Sequence, residues 1–101
     1  MDLDNRSPES DTHGHFTAVD DPALTPTLPY AISNGGVIVG FGFNHAGDAR
    51  GWLLQARQFS PIDDPRGAEG TFAINIDELG DTVVGYYVDR HGVVHGFVVR
   101  I

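Results

Sequence analysis

Cysteine and lysine are both missing from this 101-residue chain, and no stretch has the apolar spacing of a long amphipathic helix. Without cysteine there are no disulfides, no thiolate zinc sites and no cysteine nucleophiles. Positive charge is scarce as well: six arginines face 14 acidic residues, for a net charge of -8. Nucleic acid and anionic membranes both demand a cationic face that displaces counterions, so the chain is read as binding neither. Also missing are a nucleophile elbow, a phosphate-binding loop, a dinucleotide fingerprint and a zinc-protease motif. The opening residues, MDLDNRSPESDTHGH, are polar with no apolar run, unlike a signal peptide or membrane anchor. Residues 1–15 are therefore read as a disordered tail.

What the chain does have is a repeat. HFTAVDDP at residues 15–22 returns as QFSPIDDP at 58–65, and VIVGFGFNHAGDARGWLL at 37–54 returns as TVVGYYVDRHGVVHGFVV at 82–99. A period of about 43 to 45 residues suits a supersecondary unit that stacks on its neighbours. Glycine is abundant at 13, and the apolar residues come in short bursts between Gly, Asp, Asn and Pro. That pattern reads as all-β. A single β-repeat domain is expected over residues 16–101, with copy one at 16–57 and copy two at 58–101.

Turn chemistry divides each copy into four extended segments, eight strands in all. The first, 16–19 and 59–62, ends at Asp-Asp-Pro, where proline terminates pairing. The second, 30–32 and 72–76, runs into the hairpin connections SNGG and DELGD. The third, 37–43 and 82–88, meets the fourth, 51–54 and 96–100, through turns that hold Gly47 and Gly92. VIVGFGF and TVVGYYV are apolar at odd and even positions alike, so both faces of these strands are expected to be covered. Gly40 and Gly85 share a register within them, where the missing side chain admits a close neighbour.

In order, FTAVDDP, ISNGGVIVG and GDARGWLL, then FSPIDDP and TFAINIDELGDTVVGYYVDRHGVVHGF, resemble the bacterial HAF-type extracellular repeat over residues 16–99. Copy two carries the name-giving triplet at His95, Gly96 and Phe97, whereas copy one has Arg50, Gly51 and Trp52. The resemblance implies a propeller-like repeat and a family tendency toward export, and it implies no reaction.

The fold expected is thus two four-stranded antiparallel blade-like repeats completed by oligomerisation. Residues 16–19 form an orphan outer strand that complements the incomplete second blade. Two blades cannot close a ring of 4 to 8, so several chains would join head to tail or the chain would belong to a longer array. A monomeric eight-stranded barrel or sandwich is the alternative.

Site candidates are few. Arg50 and His95 occupy one register in the two copies, as at a channel lining or an interface. Tyr87 replaces Gly42 and so breaks the repeat, which marks it as an exposed contact. Asp77, Glu78 and Asp81 place three carboxylates in one short loop, where calcium is possible, although EF-hand spacing is absent and a solvated turn explains them better. The pairs Asp20/Asp21 and Asp63/Asp64 read as turn caps. His91 is expected to face solvent, and His95 to bond between blades or line a channel, with a histidine metal site the weaker reading. These features favour a noncatalytic binding and assembly module over a metal- or His-dependent enzyme at a shared axis or a structural fragment.

Overall fold

Each copy folds as an antiparallel meander whose corners fall where the sequence places Ser, Asn, Asp and Gly. The computed structural model describes residues 15–101; apart from His15, the tail read over residues 1–15 lies outside the described residues. Copy one supplies β1 (Thr27–Ile32), β2 (Ile38–Phe43) and β3 (Ala49–Gln55), and β4 (Gln58–Ile62) opens copy two. Then follow β5 (Gly70–Ile76), β6 (Thr82–Val88) and β7 (Val94–Arg100). The protein is all-β.

The hydrogen-bonded order is β1-β2-β3-β5-β6-β7, with β4 paired to β3 off that path. A single parallel bridge, Ala49 to Gly70, joins the four-stranded first meander to the three-stranded second. The sheet is open and does not close into the alternative eight-stranded barrel.

The two meanders pack face to face. Val37, Val39 and Leu53 of the first meet Ala73, Ile76 and Val83 of the second, with Ala31, Ile62, Phe97 and Val99 around them. Aromatic rings continue the contact: Phe41 meets Phe72 edge-on at 4.8 Å between centroids, and Phe72 stacks on Tyr86 at 4.6 Å. β2 is accordingly covered on both faces, as its sequence suggests. β6 is not: Val83 and Tyr87 are buried while Val84 and Tyr86 are exposed, because no third meander among the described residues lies against it.

Among the described residues seven strands form where eight are expected. Residues 16–19 are unpaired, and Phe16 is 98% exposed. Their equivalents become β4 because a two-residue hairpin at Ala56 and Arg57 folds them straight back onto β3. Residues 16–19 have no described strand before them to fold onto. β1 also begins earlier than expected, at Thr27, despite Pro29 within it. An edge strand tolerates that proline, as β4 tolerates Pro61.

A side chain at Gly40 or Gly85 would collide with backbone. A Cβ at Gly40 would meet the Leu28 carbonyl and approach Trp52 Cζ2 to 2.8 Å; at Gly85 it would meet the Phe72 carbonyl and approach Phe97 Cε2 to 3.0 Å. The shared register of these glycines thus reflects close packing of β1 on β2 and of β5 on β6.

Ala56 and Arg57 both lie in the left-handed region, at φ 52° and 67°. This is the backbone of a type I′ hairpin, for which Asn-Gly is the favoured pair. The double change Ala56→Asn, Arg57→Gly is expected to raise stability by about 1 kcal/mol, by relieving a cost of about 1–2 kcal/mol per left-handed residue against the added flexibility of glycine. Urea denaturation measures it; a lower midpoint would contradict the turn geometry.

Candidate functional site

The two copies use the same corner bonds with different residues. At the β1–β2 turn, Ser33 Oγ accepts from Val37 N at 3.0 Å; at the β5–β6 turn, Asp77 Oδ1 accepts from Asp81 N at 2.9 Å and Thr82 N at 3.1 Å. Burial raises the Asp77 pKa, but these amide donors outweigh it and hold the carboxyl below its ordinary value. Asp81 Oδ1 accepts from the Thr82 hydroxyl, and Glu78 is exposed. Two of the three loop carboxylates are thus engaged in shaping the turn. No metal-ligating group of three His, Cys, Asp or Glu occurs among the described residues.

The Asp-Asp-Pro loops are built alike. Asp21 N donates to Thr27 Oγ1 at 2.9 Å and Asp64 N to Thr71 Oγ1 at 3.2 Å. Asp21 Oδ1 accepts from Ala23 N, and Asp64 Oδ1 from Arg66 N. The second aspartate of each pair therefore caps its loop. Asp63 behaves differently: burial raises its pKa, only partly offset by Arg50 and the Gly51 amide.

At the β2–β3 corner Asn44 Oδ1 accepts from Asp48 N, and at the β6–β7 corner Asp89 Oδ1 accepts from His91 N and Val93 N. The next residues needed at these corners are Gly47 and Gly92, at φ 84° and 79°.

Around the second corner a chain of paired groups forms. Asp64 holds Arg66 through Arg66 Nε at 2.9 Å and Nη2 at 2.7 Å. The guanidinium carbon stands 4.8 Å from the centre of the Tyr87 ring, close enough for a cation–π contact. Tyr87 also stacks on His95, centroids 4.9 Å apart and planes 22° from parallel. His95 Nε2 then donates to Asp89 Oδ2 at 2.9 Å. Arg66 holds Asp64 below the ordinary carboxylate value. The Val93 amide, then the His95 hydrogen bond, hold Asp89 at about 2. Such an arrangement presents a partly exposed guanidinium and imidazole in fixed positions, which suits recognition.

Two sequence-based placements change here. Tyr87 is buried, because its ring packs against Arg66 and His95 instead of extending into solvent. His95 bonds within its own hairpin, since Asp89 lies directly across the corner. Arg50 and His95 do share a register, opposite Gly42 and Tyr87, but their surroundings differ. Arg50 pairs with Asp48 at 3.5 Å and donates to its neighbour's carbonyl. Beside it lies a cavity of about 390 Å³, walled by Leu24, Trp52, Phe59, Pro61 and Asp63.

Sequence reading missed Arg66, Asp64 and Asp89 as members of this group. The signal was available in the repeat: Arg66 stands for Ala23, Tyr87 for Gly42, Asp89 for Asn44 and His95 for Arg50, and these departures converge in space. The packing exchanges size as well. A Cβ at Gly42 would lie 2.8 Å from Leu24 Cβ, and one at Gly67, the loop equivalent of Leu24, would lie 3.0 Å from Tyr87 Cβ. Copy one fills the space from the loop, copy two from the strand.

Comparison of the chain with family models, curated proteins and solved structures finds no match.

Asn44 shows that an amide does the corner's work, so Asp89→Asn keeps the turn and removes only the charge facing His95. A carboxyl depressed in the folded state stabilises fully above its unfolded value, about 3.9, and that contribution is lost as pH falls toward the folded value. The urea midpoint of Asp89→Asn should therefore lie below the parent's above about pH 4 and converge with it as pH falls toward about 2. A constant gap would contradict the pairing.

Proposed function

We propose that this chain is a noncatalytic β-repeat module of the propeller type, which assembles with further repeats and presents a binding surface on the assembly. The observation that carries the reading is a mismatch of burial between equivalent residues. Leu53 is 6% exposed under the second meander, while its equivalent Val98 is 72% exposed. Val39 and Phe41 are buried, and their equivalents Val84 and Tyr86 are exposed. Conversely, Ile76 is 7% exposed against the first meander, while its equivalent Ile32 is 63% exposed on the first meander's outer face. Each outer face carries the side chains that its counterpart uses inside.

Complementary faces on opposite sides of one chain make a heterologous contact, which forms rings when the rotation closes. Fully burying a valine or isoleucine side chain is worth about 1.5–3 kcal/mol, so covering these faces is a substantial driving force. The ordered likeness to the HAF-type repeat supports the same reading. On the assembly, Arg66 and His95, both packed against the buried Tyr87 ring, offer the more structured contact surface, and Arg50 with its adjoining cavity the second. The rival, a His-dependent enzyme, would have to work through His95 Nδ1, because Nε2 is held by Asp89.

Light scattering over a concentration series tests the assembly. A discrete multiple giving 4 to 8 blades is expected, three chains giving six. Val98→Asp, at an exposed position, should leave the chain folded and reduce that mass to one chain. A folded monomer at every concentration of the parent would overturn the reading.

A further inference from the structure

We propose that the free edge of β7 accepts residues 15–19 of a second copy of this chain, which add to it as the missing outer strand. The proposal rests on the assembly reading above and names the segment that completes it. HFTAV at 15–19 is the repeat equivalent of β4, and β7 is the equivalent of β3. β4 pairs with β3 antiparallel, Gly51 opposite Ile62, Leu53 opposite Ser60 and Gln55 opposite Gln58. The same register on β7 sets Val19 opposite Gly96, Thr17 opposite Val98 and His15 opposite Arg100.

Gly96 is the independent sign of a missing neighbour. At Gly51 a side chain is forbidden, because a Cβ there would run into the Ile62 carbonyl of β4. At Gly96 the only heavy atom of the described residues near such a Cβ is the Gly85 carbonyl oxygen, at 3.8 Å, an ordinary contact. Nothing among the described residues requires glycine at 96. An incoming strand whose Val19 carbonyl repeats the approach of Ile62 does.

Chain direction selects a second copy over the same one. Residues 63–69 lead from the outer edge of the first meander to the inner strand of the second. The loop before β1 is closed by equivalent bonds: Leu24 N to the Asp21 carbonyl and Thr25 N to the Phe43 carbonyl match Gly67 N to Asp64 and Glu69 N to Val88. It therefore sets residues 15–19 beyond the first meander, on the side away from β7. A copy whose residues 15–19 pair with β7 also brings its own Ile32 face toward Val84 and Val98, so strand and face dock together. Main-chain pairing with an exposed edge is an established binding mode and removes an aggregation-prone edge.

Absence of native cysteine makes the test direct. Thr17→Cys and Val98→Cys are prepared in separate full-length chains, mixed and oxidised. Residues directly opposite in an antiparallel pair have Cα atoms about 4.5–5.5 Å apart, within disulfide reach. The mixed covalent dimer should form at least about tenfold faster than one between Thr17→Cys and Leu79→Cys, a control at an exposed turn, because docking gives a millimolar effective concentration. Gly96→Ala should stay folded and lose the assembly. An assembly that persists in Gly96→Ala with no preference for the 17–98 link would overturn strand addition and leave face stacking standing. A parent chain that is monomeric throughout would remove both. An intramolecular 17–98 disulfide in the double variant at high dilution would assign the segment to its own β7 and overturn the second-copy assignment.

Discussion

A meander has two faces, and two stacked meanders cover only the inner pair. That constraint governs this protein. The contact of Val39 and Leu53 with Ala73, Ile76 and Val83 supplies the interior, and it leaves Ile32 on one outer face and Val84 and Val98 on the other. The same side-chain positions are therefore core in one copy and surface in the other. The asymmetry reflects the number of units, since equivalent residues of similar apolar character occupy both environments.

The corners show how a repeat keeps its backbone while changing its chemistry. Ser33 and Asp77 accept from the amides of equivalent turns, as do Asn44 and Asp89. Once the turn bonds are satisfied by one oxygen, the second carboxylate oxygen of Asp89 is available for His95. In copy one Leu24 fills the space that Tyr87 fills in copy two, where Gly67 leaves room for it, and Tyr87 packs there against Arg66 and His95. Chemistry collects where the copies diverge, because the shared positions are committed to the scaffold.

Strand identity was legible wherever turn residues bracket an apolar burst, and so were the capping aspartates and the close approach at Gly40 and Gly85. These are local consequences of backbone sterics and proline's missing donor. Less was legible at residues 16–19, whose sequence matches β4 but whose pairing depends on an edge the chain does not place beside them. Shared register set Arg50 and His95 at equivalent strand positions, as the pairing shows. It did not identify Asp89, which reads as an ordinary turn residue until the hairpin sets it across from His95. Nor did it identify Arg66, which arrives from a separate loop.

By itself the sequence determined the all-β class, the twofold repeat and the positions of nearly every corner, because these follow from residue spacing and from the conformations Gly, Pro, Asn and Asp permit. Tertiary structure alone decided that Tyr87 is buried, that Asp64, Arg66, Tyr87, His95 and Asp89 form one connected chain, and that Val98 is exposed where Leu53 is covered. The reason is physical: turn geometry is set by a few adjacent residues, whereas burial and pairing depend on which surface lies opposite, and in a stacked repeat that surface belongs to the next unit.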